Sequence, residues 1–212
     1  MISFDYAARH VRGMWRLALG DDDWRDDMDL TTDGVFASFW AIAFSIPFEI
    51  LGGMAEARIA ASTPAYSSSL YASVPIAVML ATQIIASLIA WGVTIAALVL
   101  AAQRLGASRE TAGLIISYNW SQLLAYFSVM APAAAITATG SAELSALLFL
   151  GVLFFSIYLF WVVIRRNLPG DIGVTVLLIV ALSAVSIGVY TVLTNIAVRL
   201  FGRSEIAILW IQ

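Results

Sequence analysis

One carboxylate stands inside an apolar run. Glu49 lies 14 residues past Val35, or ~21 Å along a helix at ~1.5 Å rise per residue. Carboxylates within a membrane are rare and mark proton or ion pathways. Pro47 removes a backbone donor and frees the Ala43 carbonyl, which favours a kink beside the carboxylate. A proton-coupled transporter uses such a pair. The competing placement puts Glu49 at the outer interface near Glu56 and Arg58, because no basic residue lies in a span core to serve as its counter-ion. The interfacial placement is the one expected.

Three amides and a phenol also stand out within the apolar stretches: Gln83, Asn119, Gln122 and Tyr126. The last three are spaced three and four apart and so share one helix face. Unpaired amides in hydrocarbon are costly, so that face points into a bundle. Two roles fit. One is a polar path for a substrate or ion; the other, favoured here, is hydrogen bonding between helices, worth ~0.6–2 kcal/mol per contact.

The first 34 residues carry different chemistry. They hold eight aspartates and four arginines. Over Ser3–Leu19, Phe4, Ala8, Val11, Trp15 and Leu19 recur at helical spacing, with Asp5, Arg9, Arg12 and Arg16 elsewhere on the wheel. This predicts an amphipathic helix on the inner membrane surface, its arginines near anionic headgroups. Arg9, Arg12, Trp15 and Arg16 are thus candidates for contact with a partner or with the membrane surface; the alternative is packing against the chain's own bundle. The run Asp21–Asp29 resembles a calcium loop only in charge, since Arg25 and Asp26 fall where alternation and a glycine are required. A solvated acidic linker is expected there, with an electrostatic docking patch as the alternative.

Composition narrows the chemistry further. Of 212 residues, 61% are hydrophobic and 12% charged, against roughly 45–50% and 25% in soluble domains. There is no cysteine, one histidine (His10), and all 11 basic residues are arginine. Thiol chemistry, a cysteine zinc site, a Schiff-base lysine and a P-loop lysine are therefore excluded. Ser117, Ser121 and Ser128 have no base placed to activate them. A non-enzymatic protein with no cofactor, no metal and no nucleic-acid partner is expected.

The elements that must position these residues are membrane spans. Five apolar stretches, Val35–Met54, Ser73–Ala102, Thr111–Ala131, Ala142–Ile164 and Ile172–Val198, each exceed the ~18 residues that distinguish a span. Their continuous apolarity indicates helices rather than barrel strands. Asp33, Ser108, Ser141 and Asp171 stand where helix caps belong, and Pro132 and Leu168-Pro169-Gly170 interrupt the pattern. The fold expected is an all-α polytopic bundle of five spans, with residues 1–34 forming an amphipathic helix and acidic linker and residues 35–212 the transmembrane domain. With the N-terminus inside, eight arginines lie inside and Arg58, Arg199 and Arg203 outside, the bias of the positive-inside rule. Trp15, Trp24, Trp161 and Trp210 fall near the interfaces. The expected location is a bacterial inner membrane, N-terminus cytoplasmic and C-terminus outside.

In the third stretch, Ser117-Tyr118-Asn119-Trp120-Ser121-Gln122-Leu123 resembles the Gly/Ala-Tyr-x-x-x-Pro-Leu stretch of the Yip1 family, with Tyr118 matching and Gln122 in place of the proline. The five-span plan behind a polar N-terminal region is also similar to that family. The resemblance implies a non-catalytic membrane scaffold or accessory protein that organises the membrane or binds another membrane protein or a second copy of itself. A small transporter or channel using the intramembrane polar residues is the alternative.

Overall fold

The computed structural model describes residues 3–62 and 74–202, and these form helices without strands. Ser73, Arg203 and Trp210 lie outside the described residues. In chain order come α1 (Phe4–Ala18), a 3₁₀ turn (Asp22–Asp27), α2 (Thr32–Ser38), α3 (Trp40–Ser62) and α4 (Ile76–Arg104). A second 3₁₀ turn (Ser108–Glu110) leads into α5 (Thr111–Ser128), α6 (Met130–Thr139), α7 (Ala142–Asn167) and α8 (Ile172–Phe201). Five segments are long and apolar enough to cross a bilayer: Thr32–Ala60, Ile76–Arg104, Ser108–Thr139, Ala142–Asn167 and Ile172–Phe201. The chain is a multi-pass membrane protein, an all-α bundle of five spans.

Two span boundaries differ from the sequence expectation for identifiable reasons. Pro132 does not end the third span. The helix breaks at Val129, and α6 restarts so that Pro132 falls in its first turn, where no intrahelical donor is needed. Gly140 then closes α6 in the left-handed conformation, at φ 67°, which favours glycine. Ser3, Ser141 and Asp171 cap α1, α7 and α8, each accepting a backbone N–H. Asp33 and Ser108 do not cap. Thr31 caps α2 by accepting the Gly34 N–H at 3.1 Å, and Ser108 opens the second 3₁₀ turn.

α5 is the central element, packed against α1, α2, α3, α4 and α7, while α8 lies against α4 and α7. Leu98, Leu114, Ile116, Trp120, Leu159, Val163 and Ile164 are all but inaccessible, and they cluster towards the ends of α4, α5 and α7 that share the N-terminal side. Leu147, Leu150 and Phe154 on α7 and Leu177, Val180 and Ile187 on α8 point outward. In water such a belt would be a liability, but in a bilayer it is the lipid contact.

The N-terminal region is folded onto this bundle. The buried face of α1 is His10, Gly13, Met14, Leu17 and Ala18, not the Phe4–Leu19 stripe. Phe4 and Leu19 are more than four-fifths exposed (86% and 82%), and Trp15 is half-exposed beside Phe155, ring centroids 5.9 Å apart. The periodicity was misleading because the other face carries His10, which can be buried neutral, and Gly13, where a Cβ would lie 3.0 Å from Asp27 and Met28. Nor is the acidic run a solvated linker throughout. Trp24 and Asp27 are buried in the first 3₁₀ turn, which packs closely against α1.

Candidate functional site

Glu49 is 5% exposed and sits inside the bundle, not at the outer interface. The first span places it on the face of α3 that meets α4. At Gly53, one turn further on, a Cβ would come within 2.7 Å of Gln83 Oε1. The missing side chain is what lets α3 and α4 approach. Ser87, one turn from Gln83 on α4, donates to Glu49 Oε1. Ser87 Oγ also meets the Tyr126 hydroxyl of α5 at 3.0 Å and the Tyr190 hydroxyl of α8. A serine hydroxyl has one proton and two lone pairs. With its proton on Glu49, both phenols must donate to Ser87. Four elements thus converge on one carboxyl group through a saturated hydroxyl hub.

A second polar group lies one turn along α4. Trp91 Nε1 donates to Asn119 Oδ1 at 2.7 Å, and Asn119 Nδ2 donates to Ser38 Oγ at 2.8 Å. Trp91 also stacks on Tyr126, centroids 6.5 Å apart at 13°, and meets Tyr118 edge-on at 6.2 Å. Tyr118 and Thr94 are both buried. Gln83, Ser87, Trp91 and Thr94 therefore form one stripe on α4, ~16 Å long at 1.5 Å per residue. Nearer the N-terminal side, Asn167 Nδ2 donates to Ser117 Oγ at 3.1 Å.

Of the residues singled out from sequence, Glu49 and Tyr126 meet at one site, and Gln83 lies a turn beyond it. Asn119 belongs to the second group as an interhelical hydrogen-bonding residue. Gln122 is half-buried and part of neither group. Ser87, Tyr190, Trp91 and Ser38 were missed. The α4 spacing of 83, 87, 91 and 94 was the available signal for two of them.

The N-terminal arginines are committed elsewhere than to headgroups. Arg12 Nε donates to Asp27 Oδ1 at 3.1 Å, and Arg16 reaches Asp21 at 2.7 Å and Asp27 at 3.1 Å. Hydrogen bonds first from Arg12 and then from Arg16 hold the Asp27 carboxyl below its ordinary range, and Arg16 does the same for Asp21. Arg9 is exposed, its guanidinium 5.6 Å from the Tyr6 ring centroid. His10, fully buried, stacks between Tyr6 (4.1 Å) and Trp120 (5.2 Å). Its Nδ1 lies 2.8 Å from the Tyr6 carbonyl, and its Nε2 accepts the Asp29 N–H at 3.1 Å. That pair of bonds fits one neutral tautomer, with the proton on Nδ1. Burial pushes the imidazole below its usual 6.5.

The chemistry available at Glu49 is proton exchange. Its partners are hydroxyls, which can each accept one proton and pass on another. Among the described residues no group of three or more His, Cys, Asp and Glu is placed to hold a metal ion. No family model, curated protein or solved structure matches this chain.

Proposed function

We propose that the chain is a small, non-catalytic membrane transporter in which Glu49 takes up and releases a proton inside the bundle. The observation that carries this reading is the Glu49–Ser87 bond, backed by the Tyr126 and Tyr190 hydroxyls. When Glu49 is ionised, Ser87 donates to it and the phenols donate to Ser87. A proton that enters at a phenol and is relayed Tyr–Ser–Glu, each hydroxyl taking one proton as it gives up another, neutralises the carboxylate and leaves both hydroxyls neutral but reoriented. An ionised carboxylate in hydrocarbon is expensive, so each proton transfer changes what the surrounding helices can tolerate. That coupling is what a proton-driven transporter needs.

A second reading, a Yip1-type scaffold in a bacterial inner membrane with its N-terminus cytoplasmic, is favoured by the five-span plan behind a polar N-terminal region. Proteoliposomes with an entrapped pH dye separate the two. Under an imposed membrane potential, wild type should acidify or alkalise the lumen faster than empty vesicles, and Glu49→Gln should fall to the empty-vesicle rate. Equal fluxes in wild type, Glu49→Gln and empty vesicles would favour the scaffold.

A further inference from the structure

The hydroxyl hub does not sit midway through the bundle. Glu49, Ser87 and Tyr190 each stand 11 residues from the span end on the side opposite the N-terminus, at Ala60, Ile76 and Phe201, or ~16 Å along a helix. From the opposite ends, Thr32, Arg104 and Ile172, they are 17 or 18 residues away, ~26 Å. The longer way is also closed to protons. Along α4 the next polar side chain is Trp91, whose indole N–H is a donor only and is committed to Asn119. Asn119 in turn spends an amide N–H on Ser38, and a neutral amide does not take up one proton as it gives another. Beyond them stand Leu98, Leu114, Trp120, Leu159 and Val163, each at most 1% exposed.

The shorter way keeps its polarity and grows more exposed. Glu49, Gly53 and Glu56 are spaced four and three apart and share one face of α3. Glu56 is ~10 Å beyond Glu49 along the helix, and its charge acts on the Tyr190 hydroxyl. Gly53, between the two carboxylates, carries no side chain, and Gln83 occupies the space where one would be. On α8, Thr194 lies one turn beyond Tyr190. Glu49 and Ser87 are 5% exposed, whereas Glu56, Gln83 and Thr194 are all half-buried. Exposure therefore rises outward from the hub along α3, α4 and α8 together.

We propose that Glu49 exchanges its proton with the aqueous phase on the side opposite the N-terminus, and that Glu56 hands the proton on at the mouth of this route. The inference rests on the transporter reading above and adds to it a side and an entry residue. A proton taken up by the Glu56 carboxylate passes through water to the Tyr190 oxygen. The Tyr190 proton moves to Ser87 and the Ser87 proton to Glu49. Glu56 is then ionised again, both hydroxyls are neutral, and Glu49 alone has gained a proton. Carboxylates within spans serve such relays.

Two measurements on the full chain in proteoliposomes test this. In the first, Gln83→Cys, Thr194→Cys and Thr94→Cys are exposed singly to a charged, impermeant thiosulfonate on one side at a time, with Gly140→Cys marking the side opposite the N-terminus. Gln83→Cys and Thr194→Cys should react from the Gly140 side only, and Thr94→Cys, buried on the closed way, from neither. In the second, the pH-dye assay, Glu56→Gln should slow the Glu49-dependent flux at least about tenfold, as loss of a positioned proton carrier requires, while Glu56→Asp keeps most of it. An impermeant sulfonate buffer at high concentration on the Gly140 side should restore much of that loss, and on the other side should not. A residue that only braces the bundle would not respond to buffer. Failure of both Gln83→Cys and Thr194→Cys to react from the Gly140 side, a wild-type flux in Glu56→Gln, or a loss that buffer does not repair would overturn this inference and leave the transporter reading standing. Equal flux in wild type, Glu49→Gln and empty vesicles would remove both.

Discussion

His10 shows how a single side chain sets the attachment of the N-terminal region. Its ring is neutral, both nitrogens are used, and aromatic rings cover both faces. Protonation would turn Nε2 from an acceptor into a donor facing the Asp29 N–H. The groups around it are Tyr6 and Arg9 on α1, Asp27 and Asp29 on the following turn, and Trp120 on α5. Its folded pKa lies below 6.5, so its contribution to stability is complete above that value. It is lost as pH falls below 6.5 towards the lower folded value. Asp27 and Asp29 are depressed from 3.8, so their contributions fade only at lower pH. Thermal melting should therefore show wild type losing stability as pH falls below 6.5 relative to His10→Phe, which has nothing to titrate. Parallel pH profiles for the two proteins would refute this role. His10→Ala should cost about 3 kcal/mol at neutral pH through lost packing.

Among the elements, α2, α4 and α5 are joined by the chain Ser38–Asn119–Trp91, which spans 81 and 28 residues of sequence. Asn119→Ala leaves the Trp91 N–H without its acceptor in a water-free interior, so it should destabilise the bundle by about 1–3 kcal/mol. Denaturation in mixed detergent micelles measures this. A loss no larger than that of Ser128→Ala, whose hydroxyl bonds only its own helix, would count against it. The spans themselves were legible because each apolar run is long and continuous, and the caps at Ser141 and Asp171 were legible because capping is local. The hub at Ser87 was not legible. Serine and tyrosine are common in spans, and their meeting depends on how α4, α5 and α8 rotate about their axes, which no local pattern specifies. The face of α1 was misread for a related reason. The inward face is chosen by contacts distant in sequence, His10 against Trp120 and Gly13 against Asp27 and Met28, while Arg12 stays exposed as it reaches Asp27.

For the whole molecule, the order of five spans predicts that α1 and the end of α8 lie on opposite sides of the membrane. The absence of cysteine gives single-cysteine labelling a clean background. Cysteine at Gly140, between α6 and α7, should be reached only from the side opposite the N-terminus. Cysteine at Gly170, between α7 and α8, should be reached only from the N-terminal side; labelling of both from one side would break the five-span order. Within that frame, an outer belt meets lipid, a dry core and the docked N-terminal region close one side, and a polar stripe on α4 leads inward from Glu49. The central claim is that Glu49 itself carries the proton. Infrared difference spectra of the reconstituted protein between high and low pH read this directly, through the C=O stretch of a protonated carboxylic acid. Wild type should show such a band, Glu49→Gln should lack it, and Ser87→Ala should shift its frequency by removing the hydroxyl partner. A band of unchanged position and intensity in Glu49→Gln would mean that the proton sits on another carboxyl group, and the account would be wrong.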